Sequence, residues 1–349
     1  MGLDPKKILI VLHGSIGDVT RALPLVNILR RGFPRASLAW AVEAPSLPLV
    51  RDYPGIDEVI LFDRRRWWAE IGPFLRKIRS RRFDLALDLQ RHLKSGLISR
   101  WSGAPHRVGF NRLDSKEFNW LFNNHFIPAV GGGISKLDHY LKFAEYLGLA
   151  AKPVKWNLRL SADEESRIDA SLTRASRAYA VLFVGGRWTS KRWFPAQVAE
   201  CAAAIRHRFQ LDAVLLGGRD DRALAEEVLT KARCEITNLV GRTSLREAIG
   251  VIARARVAVG PDTGLMHIAA AVGTPVVSLW GATNPARTGP YGFADLVIQG
   301  RAPCAPCYRR HCPIGRICMQ SISVDEIAAK VSLALSHLRS GDRGLVIPA

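Results

Sequence analysis

Short apolar runs that end in glycine, each trailed by a segment of helical length, recur through this chain, and that alternation constrains its fold more than any other feature. The clearest instance is VGPDTGLMHIAAAVGTPVVSLWGATNPARTGPYG, Val259 to Gly292. An apolar strand over Ala255–Val259 leads through Gly260-Pro261 to Asp262, Thr263 and Gly264. An apolar helix, Leu265–Val272, follows directly, and a second strand, Pro275–Leu279, ends in another glycine-rich loop. A strand feeding such a turn into a helix aims unpaired backbone N–H groups and the positive end of the helix dipole at one spot, which suits a phosphate. The same pattern also describes an ordinary capped helix, with Asp262 or Thr263 as the N-cap.

The first half repeats this design. Ile8–Leu12, Ser37–Val42, Glu58–Phe62 and Leu85–Leu89 read as strands. Helices are expected from about Asp18 to Arg31, over Trp67–Arg81, from Lys94 to Trp101 and from Lys136 to Leu147. Lys152–Leu160 breaks the alternation and reads as a linker. A second set then begins, with strands at Tyr179–Phe183, Ala213–Leu216 and Ile236–Leu239. Its helices fall at Pro195–Phe209, Asp221–Ala232, Ser244–Arg254 and finally Val324–Leu338. Strands alternating with helices argue parallel, doubly wound sheets, and 349 residues suffice for two domains. The expected fold class is α/β, two Rossmann-like parallel-sheet domains facing a central cleft. The expected boundaries are 1–155, 156–323, and a terminal helix and tail, 324–349, that could pack back on the first domain.

The formal net charge of +19 points to a polyanionic partner: nucleic acid, an anionic membrane surface or an acidic substrate. The cations concentrate in Arg64–Arg66, Arg76–Arg82, Arg91–Lys94 and Arg107–Lys116. Arg64-Arg65-Arg66-Trp67-Trp68 has the makings of a membrane-surface anchor, or of a helix start with two core tryptophans. No apolar run approaches a membrane span, and MGLDPKK before ILIVLHGSIGD has too short an apolar core for a secretory signal, so the expected location is cytoplasmic.

Three more loops carry chemistry. The first strand ends in His13-Gly14-Ser15-Ile16-Gly17-Asp18. Asp18 is either a helix cap or a carboxylate at the C-terminal edge of the sheet, where it could serve as a general base. Tyr179–Phe183 runs into Gly185-Gly186-Arg187-Trp188-Thr189-Ser190-Lys191, glycines, hydroxyls and a cation ahead of a Pro-initiated helix. The next strand ends in Gly217-Gly218-Arg219-Asp220-Asp221. Neither a dinucleotide fingerprint nor a Walker loop is present.

SIGD near the start, TSKRWFP in mid-chain, LLGG, GPDTGLMHIAAAVGTPVVSLWG and GPYG together resemble the bacterial ADP-heptose:lipopolysaccharide heptosyltransferases, in the right order over nearly the whole chain. The resemblance implies a GT-B fold, with acceptor in the N-terminal domain, donor in the C-terminal one, and inverting heptose transfer without an obligatory metal or other cofactor. By motif, Asp18 would deprotonate the acceptor hydroxyl. Lys191, helped by Thr189 and Ser190, would neutralise the diphosphate. Thr263, Gly264 and Leu265 would offer it hydroxyl and N–H groups, Asp262 would accept bonds from the heptose, and His267 would line the site. The loop Arg219–Asp221 and residues near Thr243 would lie by the nucleoside. Arg64, Arg65, Arg66, Lys94, Arg107 and Lys116 would grip the anionic lipopolysaccharide core, with the enzyme held peripherally at the cytoplasmic face of the inner membrane.

Cys304, Cys307, Cys312 and Cys318 form C-x2-C-x4-C-x5-C, with His311 among them. The spacing would suit a zinc or iron–sulfur site, reduced structural thiols, or disulfides formed on isolation; no metal is assigned to it. Cys201 and Cys234 read as buried apolar residues. A sister glycosyltransferase with another nucleotide sugar or a later core acceptor is the alternative within enzymes. A nucleic-acid-binding protein is the alternative from another class, but no recognition motif for it is present and the phosphate-suited loops would go unexplained.

Overall fold

The computed structural model describes residues 3–63, 66–131, 133–172 and 178–339. The chain divides into two compact units between Leu158 and Arg159. In the first, β1 (Lys7–Val11), α1 (Ile16–Gly32), β2 (Ser37–Glu43), α2 (Leu47–Val50) and β3 (Glu58–Phe62) come first. They are followed by α3 (Trp67–Ser80), β4 (Leu85–Asp88), α4 (Leu93–Trp101), β5 (His106–Gly109), β6 (His125–Phe126) and α5 (Lys136–Tyr146). The six strands form one parallel sheet in the order β3-β2-β1-β4-β5-β6.

The second unit opens with α6 (Ala162–Leu172), β7 (Tyr179–Phe183), α7 (Pro195–Phe209), β8 (Asp212–Leu216), α8 (Arg222–Lys231), β9 (Ile236–Asn238) and α9 (Leu245–Arg254). It closes with β10 (Val257–Pro261), α10 (Gly264–Ala271), β11 (Val276–Trp280), α11 (Pro285–Thr288), β12 (Val297–Gln299), α12 (Ile317–Gln320) and α13 (Val324–Arg339). Its parallel sheet runs β12-β11-β10-β7-β8-β9. Counted from each sheet's own first strand, both orders are 3-2-1-4-5-6, the doubly wound arrangement. The chain reverses direction across each sheet between β1 and β4, and between β7 and β10, and the crevice outside the strand ends at such a reversal receives ligands.

The strand cores explain the elements. β1, β7, β10 and β11 are apolar and covered on both faces, so they read as continuous hydrophobic runs rather than alternating ones. In the second unit Ile327, Val331 and Ala334 of α13 join that core, so the last helix buries its apolar stripe in its own unit.

Several elements differ from the sequence reading. α1 begins at Ile16 with Ser15 as N-cap, so Asp18 sits inside the first turn and is not the cap. Pro24 stays within α1, which frees the carbonyl of Thr20 four residues earlier. The indole of Trp156 donates to that carbonyl at 2.8 Å. Asn157 donates from its backbone to Tyr53 and from its side chain to Asn27, at 3.1 and 3.0 Å. These bonds hold Trp156 and Asn157 in the first unit, which therefore ends beyond residue 155. β10 is two residues later than expected, because α9 and its capping turn occupy the segment up to Ala255.

Candidate active site

In the second unit the strand ends at the reversal open on a pocket of about 320 Å³. Gly185, Gly186, Gly217 and Gly218 form part of its wall. A Cβ built on Gly185 would lie 2.0–2.2 Å from the carboxylate of Asp221, and one on Gly217 would lie 3.2 Å from it. Asp221 in turn accepts the Gly218 N–H at 2.9 Å, which fixes the turn after β8. Arg187, Arg192, Asp220, Thr263 and Leu265 also line it.

α10 starts at this pocket with Gly264, and its N-cap Thr263 makes no side-chain cap bond. The Thr263 hydroxyl is buried and has no hydrogen-bond partner. A buried hydroxyl left unpaired costs stability unless something else satisfies it. Here it points to a ligand with acceptor oxygens beside the unpaired N–H groups of the helix start. His267, one turn into α10, is buried.

Lys191 donates to Asp262 Oδ2 at 2.5 Å, and the Thr283 hydroxyl donates to the same oxygen at 2.9 Å. The ammonium also lies 4.4 Å from the ring centre of Trp188. Cation and carboxylate, expected to serve different parts of a donor, thus face one another here. The Ser190 hydroxyl is buried and donates to the Arg309 carbonyl at 2.6 Å. The Thr189 hydroxyl meets the Arg310 carbonyl at 3.2 Å and His311 Nδ1 at 3.0 Å. Both hydroxyls therefore strap the Thr189–Lys191 turn to the cysteine-bearing loop rather than pointing at the pocket. Arg316 strengthens the strap, donating to the Arg192 carbonyl at 2.8 Å and covering the Phe194 ring.

Among the described residues no group of three or more His, Cys, Asp or Glu side chains is placed to hold a metal ion. Cys304 is exposed, Cys307 and Cys312 are half-buried, Cys318 is buried, and all four are unpaired thiols. Cys201 is buried, and burial pushes its thiol up to about 12; Cys234 is only half-buried.

In the first unit Asp18 follows β1 at the reversal with β4. Its Oδ1 accepts from Arg21 Nη2 at 2.7 Å and from Lys136 Nζ, and Oδ2 accepts from Ser15 at 3.1 Å. Burial pushes this carboxyl up, but Lys136 and Arg21 outweigh it and hold Asp18 well below the usual carboxylate range. Gly14 makes room for it, since a Cβ there would stand 2.7 Å from the Asp18 Cβ. His13, also in this loop, is buried with both ring nitrogens unpartnered and packs on Phe62 and Phe74. Burial and the nearby charge of Lys94 lower its pKa to about 3, so the ring is neutral.

The cations expected at an acceptor are dispersed. Arg64 and Arg65 lie outside the described residues. Arg66 is exposed ahead of α3, and Trp68 is 70% exposed, so it is no core tryptophan. Lys94 pairs with Glu43 at 2.6 Å. Arg107 belongs to β5, and its guanidinium is spent on the carbonyls of Phe122 and Ala104 at 3.0 and 2.7 Å. Lys116 is exposed. The sequence reading missed Arg21, Lys136, Thr283 and the unpartnered His13. Arg21 could have been found from its i,i+3 spacing to Asp18, whereas Lys136, on α5, reaches it only through the fold.

Two doubly wound parallel sheets flanked by helices, each in its own compact unit, are the build of the GT-B glycosyltransferases. The sequence profile of Glycosyltransferase family 9 (heptosyltransferase) matches residues 71–318, and the chain belongs to that family. It is 30% identical over 316 residues to lipopolysaccharide heptosyltransferase 1 of Pseudomonas aeruginosa, covering 88% of this chain and 87% of that one. It is 28% identical over 302 residues to the lipopolysaccharide core heptosyltransferase OpsX of Haemophilus influenzae, with 84% of each covered. The solved structure of E. coli heptosyltransferase WaaC with ADP superposes with a TM-score of 0.74 at 22% identity, over 94% of this chain and 99% of that one. The protein is a glycosyltransferase of the lipopolysaccharide core heptosyltransferase family. No helix among the described residues is long and apolar enough to cross a membrane.

Proposed function

We propose that this enzyme transfers heptose from ADP-heptose, with inversion and with no metal required, to a Kdo or heptose hydroxyl of the lipid A-borne inner core. The observation that carries the donor side is the unpartnered Thr263 hydroxyl at the start of α10, in a pocket also lined by Gly185, Gly186, Arg187 and Arg192. Relatives named for lipopolysaccharide heptose transfer support the sugar and the acceptor class.

In the proposed reaction the acceptor oxygen attacks the anomeric carbon as the carbon–oxygen bond to the diphosphate breaks and ADP departs. Asp18 accepts the acceptor's proton. Two cations make it a weak base, which suffices because the attacking oxygen becomes strongly acidic as its new bond forms. Negative charge builds on the leaving diphosphate, where Lys191, Arg187, Arg192 and the α10 N–H groups would be preorganised to receive it. Release of Lys191 from Asp262 on donor binding would free the carboxylate for heptose hydroxyls. Thr189 and Ser190 hold Lys191 in place from behind, and His267 supports the α10 wall.

A transfer assay with ADP-heptose and truncated core acceptors, alongside calorimetry with ADP, UDP and NAD, tests this. ADP should bind in preference to the others, and Asp18→Ala should abolish transfer while ADP still binds. Preference for UDP or NAD would overturn the donor assignment, and an active Asp18→Ala enzyme would remove the base.

A further inference from the structure

We infer that the outer face of α4 and the adjoining segment from Leu113 to Leu121 is the surface by which this enzyme docks on an anionic phospholipid bilayer. The inference rests on the reading that the acceptor is lipid-anchored.

Six large apolar side chains are between 42% and 84% exposed there: Leu93, Leu97 and Trp101 on α4, and Leu113, Phe118 and Leu121 beside it. On α4 they stand at i, i+4 and i+8, one stripe of the helix, turned away from the core that Ile98 enters. Local bonds weld the second segment to the first. Lys116 donates its N–H to the Arg91 carbonyl at 2.9 Å, and Glu117 accepts the Leu93 N–H at 3.1 Å while meeting His92 Nδ1 at 3.0 Å. Asn119 donates to the His92 carbonyl and to Ser95 at 2.9 and 3.2 Å. Gly96 permits this contact, since a Cβ on it would stand 2.9 Å from both Asn119 and Phe122.

The arrangement is not what folding alone would select. Glu117 and Phe118 are consecutive residues with φ of 52° and 57°, a backbone region that disfavours side chains. The strain holds an aromatic ring 71% in solvent, where it contributes little burial to the fold. Large apolar side chains left exposed together on one helix stripe and on the segment bonded to it mark an interaction site.

Charge identifies the occupant. Around the stripe Arg100, Arg112 and Lys116 are exposed cations, while Arg91, Lys94 and Arg107 turn inward to the Asp114 carbonyl, Glu43 and the carbonyls of Phe122 and Ala104; the acids of the segment are Asp114 and Glu117. Asp114 is buried, accepting the Val130 N–H, and Glu117 is engaged with His92. Apolar side chains ringed by cations match lipid tails beneath anionic headgroups. A second copy would bring the same cations against themselves. The face also adjoins the reaction edge: α4 follows β4, whose last residue Asp88 pairs in register with Val11 of β1, just ahead of the Asp18 loop.

The test is flotation of the full chain with phosphatidylethanolamine–phosphatidylglycerol vesicles against phosphatidylcholine vesicles, without substrate. Wild type should float with the anionic vesicles only. Leu97→Glu with Phe118→Glu should cut partitioning at least roughly tenfold, as should Leu113→Glu with Leu121→Glu, a pair exposed enough to leave the fold unstrained. Leu333→Glu on α13, in the other unit, is the control and should float like wild type. Equal flotation of the double variants, no flotation of wild type, equal binding to phosphatidylcholine, or a wild-type dimer that the variants split would each overturn the proposal. Transfer to a soluble truncated acceptor should be unchanged in both double variants, and its absence in wild type would instead count against the proposed reaction.

Discussion

Asp18 shows how one carboxylate is kept ionised against its own burial. Two cations set its charge, and one of them, Lys136, is contributed by α5. A depressed pKa means that the basic form persists through neutral pH and is lost only in acid. Lys136→Met leaves burial opposed by Arg21 alone, so the carboxyl pKa rises. The acidic limb of the kcat/KM profile should therefore move to higher pH, by about one unit or more; a limb that stays in place would show that it reports another group. Gly185 gives a sharper steric expectation. Gly185→Ala would drive a methyl into the Asp221 carboxylate and unseat it from the Gly218 N–H. ADP affinity should fall roughly tenfold or more by calorimetry. Gly186→Ala meets nothing nearer than 3.8 Å and should bind ADP nearly as wild type does.

At the scale of elements, α6 and α9 are clamped by four ion pairs among the described residues, the most buried being Arg246 with Glu164. Arg246 grips Glu164 with two bonds, at 2.8 and 2.9 Å, while Glu164 also accepts the Ser161 N–H that starts its own helix. The Arg246 bonds chiefly lower Glu164 to about 2, burial opposing. The folded-state pKa lies below the unfolded one, so this stabilisation is full above about pH 4.5 and is lost as pH falls through about 2. Glu164→Gln should cost about 1–2 kcal/mol at neutral pH by denaturant titration, and wild type and variant should converge in acid.

α6 is also where reading the sequence fell short, because its one fully buried residue, Ile168, leaves almost no apolar period to detect. β5, β6 and β12 were missed for a related reason, being two to four residues long. β7 and α7 were legible to the residue, the first as a continuous apolar run and the second because Pro195 fixes its start. The pocket loops were legible from glycine and Thr263. Arg107 was not, since nothing local distinguishes a guanidinium that binds carbonyls from one awaiting an anion.

For the molecule as a whole, a net charge of +19 makes encounter with a lipid-borne polyanion a matter of ionic strength. The screening length is about 10 Å at ~0.1 M salt and about 3 Å at ~1 M. Turnover on acceptor displayed in anionic vesicles should fall steeply over that range, while turnover on a soluble truncated acceptor declines much less. Parallel salt curves for the two acceptors would show that the surface charge does not govern access. One trait of the topology bears on how such enzymes diversify. Each sheet is completed within its own half of the chain, and among the described residues no strand is lent across the division at Leu158. On the proposed division of labour, a single recombination event at that point would join an existing nucleotide-sugar half to a new acceptor half. On that proposal the two halves would be free to evolve as separate cassettes, and lineages could change the sugar chain they build without reinventing the donor they spend.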